Sequence, residues 1–244
     1  MRVETNESLV RRNRRIAQYL TLFSFGALIA ALFINFQPVF NPETVENVLI
    51  LLLPSLILPI GLVTMLIAVR YTNLWVREPR PEKALREGLK GLSNKSVLYN
   101  YYHSPAQHVL FSPQGVYAIV VRYQDGVYTV RGDRWQTHGG LFSAFTRLLR
   151  RDGIGDPNFD AQRAAAHVKR LLQPIAPDVE VHPLIVFIDP RVSLTIEDPT
   201  IPVLFTNPKM EPNLKDYMRH AGRSENSPLT PQQIEAFEEA TLPA

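Results

Sequence analysis

The chain contains no cysteine, which excludes disulfides and thiolate metal sites and agrees with a reducing compartment. It has no P-loop, no G-x-G-x-x-G and no G-x-S-x-G. Nucleotide hydrolysis, dinucleotide binding and serine-hydrolase chemistry therefore have no motif to stand on. The 6 histidines are scattered, and His103 and His108 would face opposite sides of a regular strand, which argues against a zinc site. There is no internal repeat and no aromatic-rich RNA-binding signature, and the net charge is only +3. Two long stretches, residues 16–42 and 47–69, lack any Asp, Glu, Lys, Arg or His.

Each stretch is long enough to bury about 20 residues in hydrocarbon. The spans are expected at about 17–36 and 48–69. Arg11, Arg12, Arg14 and Arg15 precede the first, while residues 37–47 carry Glu43 and Glu46 and no Lys or Arg. Arg70, Arg77, Arg80 and Lys83 follow the second. Basic residues at span ends stay inside, so residues 1–77 read as a transmembrane helical hairpin in a plasma or inner membrane. Both termini and the soluble domain are then cytoplasmic. The first run is too long for the apolar core of a cleaved signal peptide. Pro54 and Pro59 predict a kink in the second helix, and Gly26, Ala27, Ala30 and Ala31 would allow close helix contact. With no acidic or basic residue in either span, transport is unsupported.

The remainder divides into an α/β domain over residues 78–206 and, over 207–244, a mobile connection with a short terminal helix. Residues 81–92 place Leu85, Leu89 and Leu92 on one helical face, with Pro81 suited to the first turn. Residues 97–102, 107–112, 116–123 and 127–130 read as short strands of a meander. Helical patterning follows at 141–151 and 159–173, then a buried strand at 181–188 and a short one at 201–205. Thr230, Pro231 and Gln233 form a capping-box start for a helix to about residue 240. This order predicts a mixed sheet.

The stretch from Ser104 to Arg122, with Asp125, Gly126 and Trp135 after it, resembles the nuclease-related domain family (NERD), which is similar to the PD-(D/E)XK nucleases. Glu82 on the leading helix and Pro157 with Gln162 add to the likeness. The resemblance implies an Asp-His strand followed by a strand bearing Glu-x-Lys. In such a site two carboxylates on neighbouring strands hold a divalent cation, and a Lys two residues beyond the second acid helps to orient the attacking water. Here Gln107 stands for the Asp, Val120 for the Glu and Arg122 for the Lys, while His108 is kept. Val has no oxygen to offer, Gln only a neutral carbonyl, and Arg does not give up its proton.

The first reading is thus a membrane-integral module with a degenerate nuclease-like site, non-catalytic, binding nucleic acid or a protein partner through His108, Arg122, Gln162, Arg147, Arg150 and Arg151. No cofactor is expected. The second is an active nuclease using Mg²⁺, with Glu82, Asp125 or Asp133 as the displaced acid. Asp125 and Asp133 also have simple places in Asp-Gly and Gly-Asp turns. The third is a scaffold subunit of a membrane assembly. Strand alternation aims Arg122 at the covered face of the sheet, where it needs an acidic partner unless the strand end is open.

Overall fold

The computed structural model describes residues 1–40, 48–138, 153–221 and 229–242. The described residues form two compact units: 1–7, 79–138, 153–221 and 229–242 make one, and 8–40 with 48–78 make the other.

The first unit is an α/β domain with a mixed six-stranded sheet in the order β1 (Arg2–Thr5), β2 (Val97–His103), β3 (Ala106–Ser112), β4 (Gly115–Arg122), β7 (Val181–Phe187) and β9 (Val203–Phe205). The pairs β2–β3 and β3–β4 are antiparallel, while β1–β2, β4–β7 and β7–β9 are parallel. A second sheet has β5 (Val127–Arg131) between β6 (Arg134–His138) and β8 (Ser193–Glu197). Gly132 with φ 56° makes the tight β5–β6 turn possible.

Period-2 alternation sorts the central strands onto two buried faces. Val109, Phe111, Val116 and Ala118 pack on one face against Ala164, Ala165 and Val168 of α4 (Pro157–Leu172) and Phe237 of α6 (Pro231–Thr241). The alanines let α4 approach the sheet closely. Leu98, Leu110, Tyr117 and Ile119 form the opposite face, covered by Leu85 and Leu89 beside α3 (Pro81–Gly88) and by Leu214 and Met218 of α5 (Leu214–His220). The helix starts are written locally. Asp156 caps α4 through the Phe159 amide, Asn213 caps α5 through that of Asp216, and Thr230 with Gln233 closes the capping box of α6.

The second unit holds α1 (Glu7–Phe40) and α2 (Val48–Trp75). Glu7–Phe36 and Ser55–Trp75 are long and apolar enough to cross a membrane. Val10, Ala17, Ser24 and Ala31 of α1 are buried at seven-residue intervals, and Ala68 is buried on α2. A Cβ placed on Gly61 would lie 3.3 Å from Leu28 Cδ2 and 3.4 Å from Ala27 Cβ, so the helices approach closely there.

Several details depart from the sequence expectations. Residues 2–5, counted above with the hairpin of residues 1–77, form an edge strand of the domain sheet, because Arg2 to Thr5 pair with Val97 to Asn100. The meander stops after β4, and β5 starts the second sheet. The described part of the expected mobile connection carries α5, because Leu214 and Met218 have a core to fill. Of the small residues in the first span, Gly26 and Ala30 are exposed while Ala31 is buried. The helix expected at 141–151, with Arg147, Arg150 and Arg151, lies outside the described residues.

Candidate functional site

The β3–β4 register pairs His108 with Ile119 and Val109 with Ala118, so the next step places Gln107 opposite Val120. Arg122 lies two residues further along the same face of β4. Gln107, Val120 and Arg122 thus share the face that α4 covers. Gln107 is exposed although Val109 and Phe111, which share its face, are fully buried. The cover is open at that point, so Gln107 reaches solvent on the face that also carries half-buried Val120 and Arg122.

Arg122 does have the acidic partner that its position demands. Its Nη2 donates to Asp160 Oδ2 of α4 at 2.5 Å, while its buried Nε has no hydrogen-bond partner. Sequence reading missed Asp160, which is separated from Arg122 by 38 residues and looks like an ordinary first-turn acid. Gln162 is exposed on the same helix.

Glu82 and His108 belong to the other face. Tyr101, held at φ 67° beside an irregularity in the β2–β3 pairing, donates its hydroxyl to Glu82 Oε2 at 2.9 Å. Arg80 Nη1 lies 3.3 Å from Glu82 Oε1. The Tyr101 ring packs edge-on to His108 at 4.9 Å, and His108 Nδ1 is 2.8 Å from Asn100 Oδ1. Asn100 in turn donates to Thr5 of β1. Burial holds His108 neutral, with its pKa lowered to about 3. Burial, then the Glu82 carboxylate, pushes the Tyr101 hydroxyl far above its ordinary range. The sheet therefore separates Glu82 and His108 from Arg122.

Asp133 and Asp125 are engaged elsewhere. Asn158, in the first turn of α4, donates to Asp133 Oδ1 at 2.5 Å and accepts from Trp135 Nε1 at 2.8 Å, tying the second sheet to α4. Asp125 Oδ2 is 3.0 Å from Arg191 Nη2. Arg191 also makes a two-pronged contact with buried Asp189, through Nε to Oδ1 at 3.0 Å and Nη2 to Oδ2 at 2.7 Å. This cluster lies just past the carboxyl ends of β4 and β7. In the sequence, Asp189 next to Pro190 reads only as a strand end.

These side chains do not suit a hard divalent cation. Val120 has no donor atom, Gln107 has a neutral carbonyl, and the carboxylate brought by α4 is taken up by Arg122. Among the described residues, no group of three or more His, Asp or Glu side chains is placed to hold a metal ion. The chemistry on offer is that of a guanidinium and amides facing an opening, which favours contact with an anion.

No curated protein and no solved structure matches the chain. Residues 78–188 do match a family model, that of the nuclease-related domain, and the matched segment contains α3, the β2–β3–β4 meander, the second sheet's first hairpin, α4 and β7. The chain carries a nuclease-related domain, NERD, over residues 78–188.

Proposed function

We propose that this chain is a membrane-anchored protein whose nuclease-related domain binds nucleic acid at the cytoplasmic face without cutting it. The observation that carries this reading is the arrangement on the sheet face beneath α4: Gln107 is exposed, the acid positions are Gln107 and Val120, and the cation Arg122 is held by a half-exposed carboxylate. A phosphodiester oxygen can replace that carboxylate on Arg122, whereas the residues that would hold a catalytic cation are gone. Arg163, Lys169 and Arg170 extend the basic surface along the exposed side of α4.

Chain connectivity supports the anchor. β1 precedes α1, the remainder of its sheet follows α2, and one sheet cannot be divided by a bilayer. The two ends of the helix pair are therefore on one side, as two crossings require. The arginines before α1's apolar run and after α2's make that side the cytoplasm.

The test is titration of the full chain with labelled single-stranded and duplex DNA and RNA at two salt concentrations. The full chain is needed because a fragment starting at residue 78 lacks β1. Binding that weakens steeply with salt supports the reading, as neutralised phosphates release counterions. Salt-independent binding or none contradicts it.

A further inference from the structure

We propose that the first helix carries a binding site for an anionic phospholipid, formed by Arg11, Arg12, Arg15 and Tyr19; this rests on the membrane-anchored reading above. Ser8, Arg12, Arg15, Tyr19 and Leu22 recur at three- and four-residue steps, so they form one stripe along α1. That stripe is opposite the face on which Val10, Ala17, Ser24 and Ala31 are buried. It continues through Gly26, Ile29 and Phe33, and Tyr19, Leu22, Ile29 and Phe33 are 69%, 69%, 64% and 68% exposed. A Cβ placed on Gly26 would meet nothing within 4 Å.

At the start of the stripe, Ser8, Arg11, Arg12, Arg15, Ile16 and Tyr19 line a recess of about 420 Å³. Arg11, Arg12 and Arg15 are exposed and make no ion pair among the described residues. Arg15 precedes Tyr19 by about 6 Å along the helix, which is about the depth of one headgroup layer. Tyr suits that boundary, with an apolar ring and a polar tip. An occupant of the whole stripe must be anionic beside the arginines and apolar beside Leu22 to Phe33. A phospholipid with an anionic headgroup satisfies both demands, with its phosphate on the guanidiniums and an acyl chain along Leu22 and Ile29. A second transmembrane helix in this position would need an acidic end.

The experiment reconstitutes the full chain in equimolar phosphatidylcholine and phosphatidylglycerol, and native mass spectrometry reads the lipids that it retains. Wild type retains phosphatidylglycerol in preference. Each of Arg11→Gln, Arg12→Gln and Arg15→Gln lowers that preference by about fivefold. The control pair Arg134→Gln and Lys209→Gln, exposed basic residues of the α/β domain, leaves it unchanged. Equal retention of both lipids by wild type, or an undiminished preference in the triple variant, overturns the site. Alkaline carbonate extraction is run in parallel. Extraction of wild type from membranes overturns the anchor as well, whereas a protein that stays in the membrane without lipid preference overturns the site alone. A cross-linked dimer formed through Gly26→Cys in place of retained lipid also overturns it.

Discussion

The guanidinium of Arg122 and the carboxylate of Asp160 meet at 2.5 Å, with Arg122 only 12% exposed and Asp160 48% exposed. The cation is largely buried on the sheet and the anion is half in water. Such a pair adds little stability, because its outer member is well solvated. An incoming phosphate that displaces Asp160 therefore loses little and gains a guanidinium already held in place.

Substitution at the two ends of this bond should move affinity in opposite directions. Asp160→Asn frees Arg122 and should tighten nucleic-acid binding by about threefold to tenfold, with a change in folding stability within about 1 kcal/mol. Arg122→Ala should weaken binding similarly and reduce the salt dependence by about one phosphate contact. Fluorescence anisotropy at several salt concentrations measures both; unchanged affinity in both variants would remove Arg122 and Asp160 from the binding surface.

Restoring the family pattern should restore an appetite for metal. Gln107→Asp, Val120→Glu and Arg122→Lys together place two carboxylates across neighbouring strands, where like charges repel. The triple variant should melt lower than wild type without metal and rise on addition of Mn²⁺, while wild type stays unchanged. Thermal unfolding with and without Mn²⁺ decides it, and an equal Mn²⁺ response in both proteins would show that the substituted positions do not govern metal binding.

Acid should unfold the domain partly through its buried histidines. Burial lowers His108 from 6.5 to about 3, and burial with His167 nearby lowers His103 to about 4. Both folded values lie below the unfolded value. Stability is thus complete above about pH 6.5 and falls as pH drops toward the folded values, since the unfolded chain takes up the protons first. Each histidine contributes up to about 1.4 kcal/mol per pH unit in that window. His108→Gln should flatten the slope between pH 6 and pH 4 in urea unfolding, and an unaltered slope would mean that His108 is not held neutral.

The strand ahead of the first apolar helix should be needed for the domain. Arg2 of β1 is ion-paired with Glu238 of α6, which also accepts from the Tyr99 hydroxyl at 2.5 Å, and Thr5 accepts from Asn100. Removing residues 1–6 leaves the β2 edge unpaired and Glu238 without that cation. Faster hydrogen exchange across residues 97–100 is expected, by at least about tenfold, and protection equal to the full chain would show that β1 is dispensable.

Local patterns made most of the central layout readable. Val116, Ala118 and Val120 alternate as a strand must, and that same alternation implied that Arg122 needs an anion on the covered face. The partner's identity was not readable, because nothing near Asp160 marks it and only the packing of α4 brings it close. β1 was missed for a similar reason: four residues carry too little period to declare a strand, and their pairing with Val97 to Asn100 is made across the whole of the first two helices. For α5, Leu214 and Met218 at one helical step were visible, but the Pro-bearing polar stretch around them read as connection. The choice of β5 to open a second sheet is a matter of long-range pairing with β8, which its own five residues do not encode.

The most direct measurement incubates the stringently purified full chain with labelled DNA and RNA, with Mg²⁺, with Mn²⁺ and with chelator, scoring bound and cleaved strands in the same reaction. Salt-sensitive binding with the strands left intact under every metal condition is the predicted result. Metal-dependent cleavage that co-purifies with the protein and is lost with Glu82→Gln would contradict the account and place a displaced acid in a working nuclease site.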